Sequence, residues 1–301
     1  MLKPWTPLSF EFFPPRSDTQ QERFDHAWAE LARLRPEYFS VTFGAGGSTL
    51  EATHRSVIAL QGASGVPVAP HLSCMVPNRG SVRQYLADYQ QAGVRRLVVL
   101  RGDRPAEDAP AGPFEHADEL VRFIREETGD HFSIEVACYP EMHPESESPQ
   151  TELEFFRQKV DAGANGAITQ YFYNADAYFR FIDECQRRGI LVPIRPGVLP
   201  ITNREQLLRF SRQCGAEVPR WIERRLDGFG DDLASIRAFG LDVVTGLCER
   251  LLRGGAPGLH IYSLNQSAPS LELVSRLGGI ESGGNHVEKP RTDSPPGAIN
   301  A

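Results

Sequence analysis

The chain has 301 residues, 41% of them hydrophobic, with 32 Lys and Arg against 39 Asp and Glu for a net charge of −7. That length accommodates one large core or two smaller ones, and an acidic balance with no basic run to follow a phosphate backbone argues against nucleic acid as a partner. Apolar stretches such as "RRLVVLRG" are far shorter than the roughly 20 residues of a membrane span, and "MLKPWTPLSF" lacks the apolar block of a signal peptide, so a cytoplasmic location and no membrane partner are expected.

Short β-branched and aromatic runs recur at intervals too long for hairpins: "LSFEFF" (8–13), "YFSVTF" (38–43), "VPVAPHLSC" (66–74), "RRLVVLRG" (95–102), "FSIEVACY" (132–139), "GAITQYFY" (166–173), "VPIRPGVL" (192–199) and "LHIYSLN" (259–265). Segments with helical apolar spacing lie between them, as at Val82, Leu86 and Tyr89 or at Leu153, Phe156 and Val160. Gly93, Gly163 and Gly189 each follow a last helical turn and precede a strand, which is C-cap chemistry. Eight strands alternating with helices predict a (β/α)8 TIM barrel over residues 1–280, an open doubly wound sheet being the other arrangement of such units. The stretch from Pro219 to Leu252 is longer than one helix and predicts an extra short helix before the eighth strand. Residues 281–301 combine Pro, Gly and charge with few apolar residues and are expected to be a disordered tail.

Active sites of such barrels lie at the C-terminal ends of the strands. Polar residues fall there repeatedly: Glu11, Thr42, His71, Arg101 with Asp103, Tyr139, Gln170 and Asn265. In the first run, alternation points Ser9, Glu11 and Phe13 into the barrel and Phe10 and Phe12 towards the helices. A carboxyl in a dry mouth is expected to be held protonated, as a general acid requires, unless it pairs with an arginine such as Arg16 or Arg101. Gln170, after "AIT", suits the edge of a heterocycle.

Other chemistries find less support. "FGAGGST" would need glycine at Thr49 for a dinucleotide fingerprint, and no G-K-[ST] makes it a P-loop. The five cysteines, Cys74, Cys138, Cys185, Cys214 and Cys248, form no C-x-x-C pair. His71 and His143 are far apart with no H-E-x-x-H spacing, and no G-x-S-x-G elbow occurs, so no metal site and no serine hydrolase are expected.

Taken in order, "FEFFPPR", "VTFGAGGST", "PHLSC", "LRGD", "YPEMHPE", "KVDAGANGAITQYFYN", "PGVLPITN" and "YSLN" resemble the motif series of the bacterial methylenetetrahydrofolate reductase family over residues 8 to 278. The resemblance implies a flavoprotein barrel that passes hydride from NADH or NADPH through FAD to 5,10-methylenetetrahydrofolate. It further implies Glu11 as the proton donor that opens the imidazolidine ring and Asp103 as the carboxylate near flavin and pterin. FAD contacts then fall on Phe43, Ala45, His71, Arg101, Gly102, Ala117, Tyr139, His143, Ser146, Glu152 and Lys159, and substrate contacts on Thr42, Gln170, Gln206, Phe210 and Gln266. Glu152 stands where the family often has aspartate, His116 near an often aromatic position, and Gln266 where some members have arginine. A homo-oligomer is expected from the resemblance alone. The competing readings are a proline-dehydrogenase-like flavin barrel, a metal-dependent barrel lyase using Glu11 and His71, and a flavin- or folate-binding subunit without turnover of its own.

Overall fold

All eight predicted runs contain strand, and every pairing between them is parallel. The computed structural model describes residues 6–43, 50–102 and 112–278. Its strands are β1 (Leu8–Phe12), β2 (Tyr38–Val41), β3 (Val68–Ser73), β4 (Arg96–Leu100), β5 (Ser133–Cys138), β6 (Gly166–Thr169), β7 (Ile194–Arg195), β8 (Gly197–Val198) and β9 (Leu259–Tyr262), hydrogen-bonded in the order β7-β6-β5-β4-β3-β2-β1-β9-β8. The result is a nearly closed TIM-type barrel rather than an open doubly wound sheet.

The seventh run departs from expectation by splitting in two. β7 pairs with β6, and β8 pairs with β9. Pro196 lies between the halves and has no N–H to give to a ladder, but its carbonyl accepts from the His260 N–H at 3.0 Å. One interrupted segment therefore bonds to both neighbours and brings the ring round.

Helices alternate with the strands: α1 (Asp18–Ala32), α2 (Leu50–Ala63), α3 (Arg79–Gln91), α4 (Ala117–Thr128), α5 (Pro149–Asp161) and α6 (Ala175–Arg187). After β8 come α7 (Arg204–Cys214), the expected extra helix α8 (Arg220–Phe229), and the long α9 (Leu233–Arg253), with α10 (Ser267–Arg276) following β9. Ser17, Asn78, Ser148, Asn174, Asn203 and Asp232 cap helix N-termini by accepting from backbone N–H groups. Gly93 and Gly189, both with φ 75°, turn the chain from helix to strand in the left-handed conformation that glycine adopts without strain. The predicted tail beyond residue 280 lies outside the described residues.

Strand alternation sorts the side chains into two environments. Phe10, Phe12, Phe39, Leu72, Val99, Val136 and Ile261 face outward into the main core beneath the helices, where Phe12 meets Phe24 of α1 edge-on at 5.6 Å. Each such fully buried side chain contributes about 1.5–3 kcal/mol. Inside the ring, Tyr38, Ala69, Val98 and Ile168 form a small apolar plug. The other buried interior residues on these strands include Ser9, Ser40, His71, Glu135, Arg195 and His260. Most buried polar groups find partners, but the Ser40 hydroxyl has no hydrogen-bond partner among the described residues.

Helix α9 is pressed onto the turn after β8 at Gly240, where a Cβ would stand 2.3 Å from the Ile201 carbonyl oxygen, whereas a Cβ at Gly246 in the same helix meets nothing within 4 Å. Gly240→Ala is therefore expected to destabilise by about 1–3 kcal/mol and Gly246→Ala to stabilise by about 0.5–1 kcal/mol. Urea unfolding of the two variants checks this, and equal effects of the same sign contradict the close crossing.

Candidate active site

Glu11 has found partners that its sequence neighbourhood does not reveal. Its register partners are Ser40 on β2 and Tyr262 on β9, so it sits in the ring wall with its carboxylate inside. His71 Nε2 of β3 lies 3.3 Å from Glu11 Oε2, and His260 Nε2 of β9 lies 3.5 Å from the same oxygen. Behind His260, the Ser9 Oγ is 2.8 Å from Nδ1, and Arg195 donates to that Oγ at 3.3 Å. Arg195 also binds Glu37 at 2.6 Å, which takes Arg96 at 2.5 Å on its other oxygen. Both guanidinium groups lie over the Tyr38 ring, at 5.0 and 5.3 Å, and the Tyr38 hydroxyl donates to Glu135.

This arrangement corrects the expectation for Glu11. Burial on its own raises a carboxyl pKa, but the charge of His71 and the close contacts of His260 and His71 outweigh it and bring Glu11 down from 4.5 to about 2. The carboxyl is thus ionised in the free site rather than protonated, and its partners are histidines rather than Arg16 or Arg101. Arg101 instead makes a bidentate pair with Glu145, at 2.8 and 3.0 Å.

Above Glu11 opens a cavity of about 1600 Å³, lined among others by Glu11, Tyr139, His143, Gln170, Phe210 and Gln266. These sequence-predicted residues, with Asn265, are therefore brought to one space, which exceeds the usual small-ligand pocket of about 300–1,000 Å³. Tyr262 also lines it, its hydroxyl donating to the Thr169 carbonyl at 2.8 Å. Gly197 leaves room for that ring, since a Cβ there would be 2.7 Å from it. The Thr42 hydroxyl, at the end of β2, is buried without a hydrogen-bond partner among the described residues. Arg16, Arg23, His26 and Arg237 also line the cavity, a basic set of which the sequence reading named Arg16 alone, as a partner for Glu11.

A second group of predicted residues is knitted together around the turn after β5. Buried Glu152 accepts from the Ser146 hydroxyl at 2.6 Å and from the His143 N–H at 3.2 Å. Lys159 donates to the Ala137 carbonyl at 2.6 Å, its pKa lowered by burial against the opposing pull of Glu152. Burial, then the nearby Arg101 charge, lowers His143 as well, and its ring meets Tyr139 edge-on at 4.7 Å. Gly102, at φ 84°, lies close to Met75 and Ser73. Ala117 begins α4 after His116, whose ring stacks on Phe155 at 5.8 Å. Gln206 and Phe210 lie on α7, but only Phe210 reaches the cavity. Phe43 packs against the main core. Asp103 and Ala45 lie outside the described residues.

Asn265, predicted at a strand end, is a clamp. Its side-chain amide accepts from the Phe13 N–H and donates to the Phe13 carbonyl, both at 2.9 Å, as a neighbouring strand would. Leu264 and Asn265 adopt φ of 51° and 55° to place it, a conformation of some cost outside glycine.

Residues 3–278 match the family model for methylenetetrahydrofolate reductase. The chain belongs to the methylenetetrahydrofolate reductase family. It is 38% identical to the 5,10-methylenetetrahydrofolate reductase of Pectobacterium carotovorum and 36% identical to that of Escherichia coli K12, in each case over 90% of both chains. Among solved structures, a Clostridium thermocellum protein that binds two copies of 5-methyl-5,6,7,8-tetrahydrofolic acid superposes with TM-score 0.65 at 16% identity, covering 90% of this chain and 96% of that one, which speaks for the fold. Among the described residues, no helix is long and apolar enough to cross a membrane.

Within this family member the Glu11 cluster ties site electrostatics to stability. A carboxyl whose folded-state pKa is depressed stabilises the fold above its unfolded value, here 4.5, and that contribution is lost as pH falls towards about 2. The stability difference between wild type and Glu11→Gln in urea is accordingly expected to change across that window. A difference that is constant through the window contradicts the ionised cluster.

Proposed function

We propose that this chain reduces 5,10-methylenetetrahydrofolate to 5-methyltetrahydrofolate with hydride taken from NADH or NADPH through FAD, one site serving both substrates in turn. The observation that carries this reading is a partly buried, histidine-flanked Glu11 lining a cavity large enough for a dinucleotide, in a member of this family.

The residues present suit FAD. Lys159, Arg101 and His143 offer positive or donor groups for a pyrophosphate, and Glu152 holds Ser146 and His143 in place from behind. The Thr42 hydroxyl, buried without a hydrogen-bond partner among the described residues, is a donor that the nicotinamide or the folate could engage. Bound FAD supplies a two-electron carrier between nicotinamide and folate. In this reading His71, Gly102, Ala117 and Tyr139, with Phe43 and Ala45, complete its surroundings, and the Asp103 carboxylate adjusts how readily it holds electrons.

The chain's own residues supply the rest. Glu11, once protonated, gives its proton to N10 of the substrate's five-membered ring. The bond from the bridging carbon to N10 breaks with its electron pair going to nitrogen, and the iminium left at N5 accepts hydride. Docking a flat ring on Glu11 expels water, which disfavours the charged carboxylate and favours its protonation. Gln170 reads the pterin edge with its amide, Phe210 offers a ring face for stacking, and Gln206 and Gln266 meet the remainder of the folate. The basic edge formed by Arg16, Arg23, His26 and Arg237 suits its carboxylates.

Glu11→Gln is expected to leave flavin reduction by NADH within about threefold of wild type while slowing flavin reoxidation by methylenetetrahydrofolate by about 10²–10⁴-fold, the size of a lost general acid. Rapid-mixing absorbance of each half-reaction measures both, and equal losses in the two contradict the proton-donor role. Asp103→Asn is expected to shift the flavin potential and weaken folate binding; unchanged values of both remove Asp103 from the site.

A further inference from the structure

Tyr139 and His143 stand in the turn after β5, Phe210 stands on α7, and all three line the cavity. We propose that Glu141 is a positioning residue that fastens the C-terminal end of α7 to that turn, so that the place of Phe210 in the cavity is set from the flavin side. This rests on the reading of the cavity as the site of both FAD and folate.

The contacts between the two segments are specific. Glu141 Oε2 accepts from the Glu217 N–H at 2.8 Å, just beyond α7. Gly215, the left-handed C-cap of α7 at φ 74°, lies so close to Pro144 that a Cβ there would stand 2.6 Å from its Cγ. One turn further back, the Tyr171 hydroxyl meets the Ser211 Oγ at 3.0 Å in a buried contact. Ser211 is the residue after Phe210, so whatever anchors this end of the helix also places that ring. The seam leaves a space of only about 10 Å³, lined among others by Glu141, Tyr171, Cys214 and Gly215, too little for a ligand. Met142, next to Glu141, has φ 78°. A side chain is costly in that conformation, which persists where surrounding contacts hold it.

The fastening is also linked to protons. Glu141 Oε1 is buried without a hydrogen-bond partner among the described residues, an arrangement that suits a neutral carboxyl better than a charged one. Burial pushes the Glu141 pKa up from 4.5 to about 7; the Glu217 N–H opposes this, the Glu217 carboxylate adds to it, and Arg180 of α6 opposes it. Tyr171 and Cys214 are the other titratable groups at the seam. A carboxyl raised in the docked state and ordinary once released favours docking fully below 4.5, and that contribution is lost as pH rises to about 7.

The test compares FAD-loaded wild type, Glu141→Gln and Glu141→Ala by amide hydrogen exchange over residues 211–217 and by the two half-reactions. At about pH 6 Glu141→Ala is expected to raise the KM for methylenetetrahydrofolate about tenfold, the worth of one lost hydrogen bond, and to leave flavin reduction by NADH within about threefold. Glu141→Gln keeps an oxygen for the Glu217 N–H and is expected to stay within about twofold of wild type in both. From about pH 5 to about pH 7, exchange in wild type relative to Glu141→Gln is expected to rise about three- to tenfold, the full linkage being reduced by solvent. An unchanged folate KM in Glu141→Ala, a Glu141→Gln no better than Glu141→Ala, or a wild-type to Glu141→Gln exchange ratio that is flat with pH overturns the proposal. If Glu141→Ala fails to take up FAD, the exchange ratio decides. A wild type whose reduced flavin is not reoxidised by methylenetetrahydrofolate defeats instead the functional reading, and the exchange ratio still judges the fastening.

Discussion

A carboxylate held between two histidines inside a ring of parallel strands is the constraint around which this structure is arranged. Removing a charge from water is costly unless other charges and hydrogen bonds replace the solvent. Here the replacement comes from β1, β3, β7 and β9 together: His71 and His260 reach Glu11, Ser9 holds His260, and Arg195 donates to Ser9. The barrel is what lets groups so distant in sequence converge, because every second residue of each strand faces the same enclosed space. The outward residues meanwhile give the aromatic core that anchors the strands under the helices.

Much of the frame was legible along the chain. The eight strand runs, the glycine turns at Gly93, Gly163 and Gly189, and the extra helix before the last strand all rest on local chemistry, and local chemistry is what a single sequence displays. The inward placement of Glu11 followed from alternation in the same way. The break at Pro196 was overlooked although the proline was in plain sight, because a residue with no N–H still fits a strand that changes partners at that point. Asn265 was noticed for its polarity, yet its work is to imitate a strand for Phe13.

The site was less legible than the frame, for a definite reason. The ionisation of Glu11 is decided by His71 and His260, which pattern alone does not bring to it. His260 looked like one more residue in "LHIYSLN", though its parity with Tyr262 carried the signal that it faces inward. Likewise Arg101 has its guanidinium engaged by Glu145, and Glu152 organises Ser146 and His143 from a buried position. The contacts of Glu11 depend on closing the ring before any partner can be named, whereas Glu152 reaches residues close to it in sequence.

In the proposed function, Lys159 of α5 with His143 and Arg101 would meet the dinucleotide, while Glu11, Gln170 and Phe210, which share the cavity, would meet the pterin. The most direct measurement of this account is an anaerobic visible spectrum of the purified protein supplied with FAD, recorded before and after NADH or NADPH and again after methylenetetrahydrofolate. The account predicts a bound flavin that bleaches with the nicotinamide and recovers its colour on adding the folate. A protein that binds no flavin, or a reduced flavin that the folate leaves bleached, would contradict it.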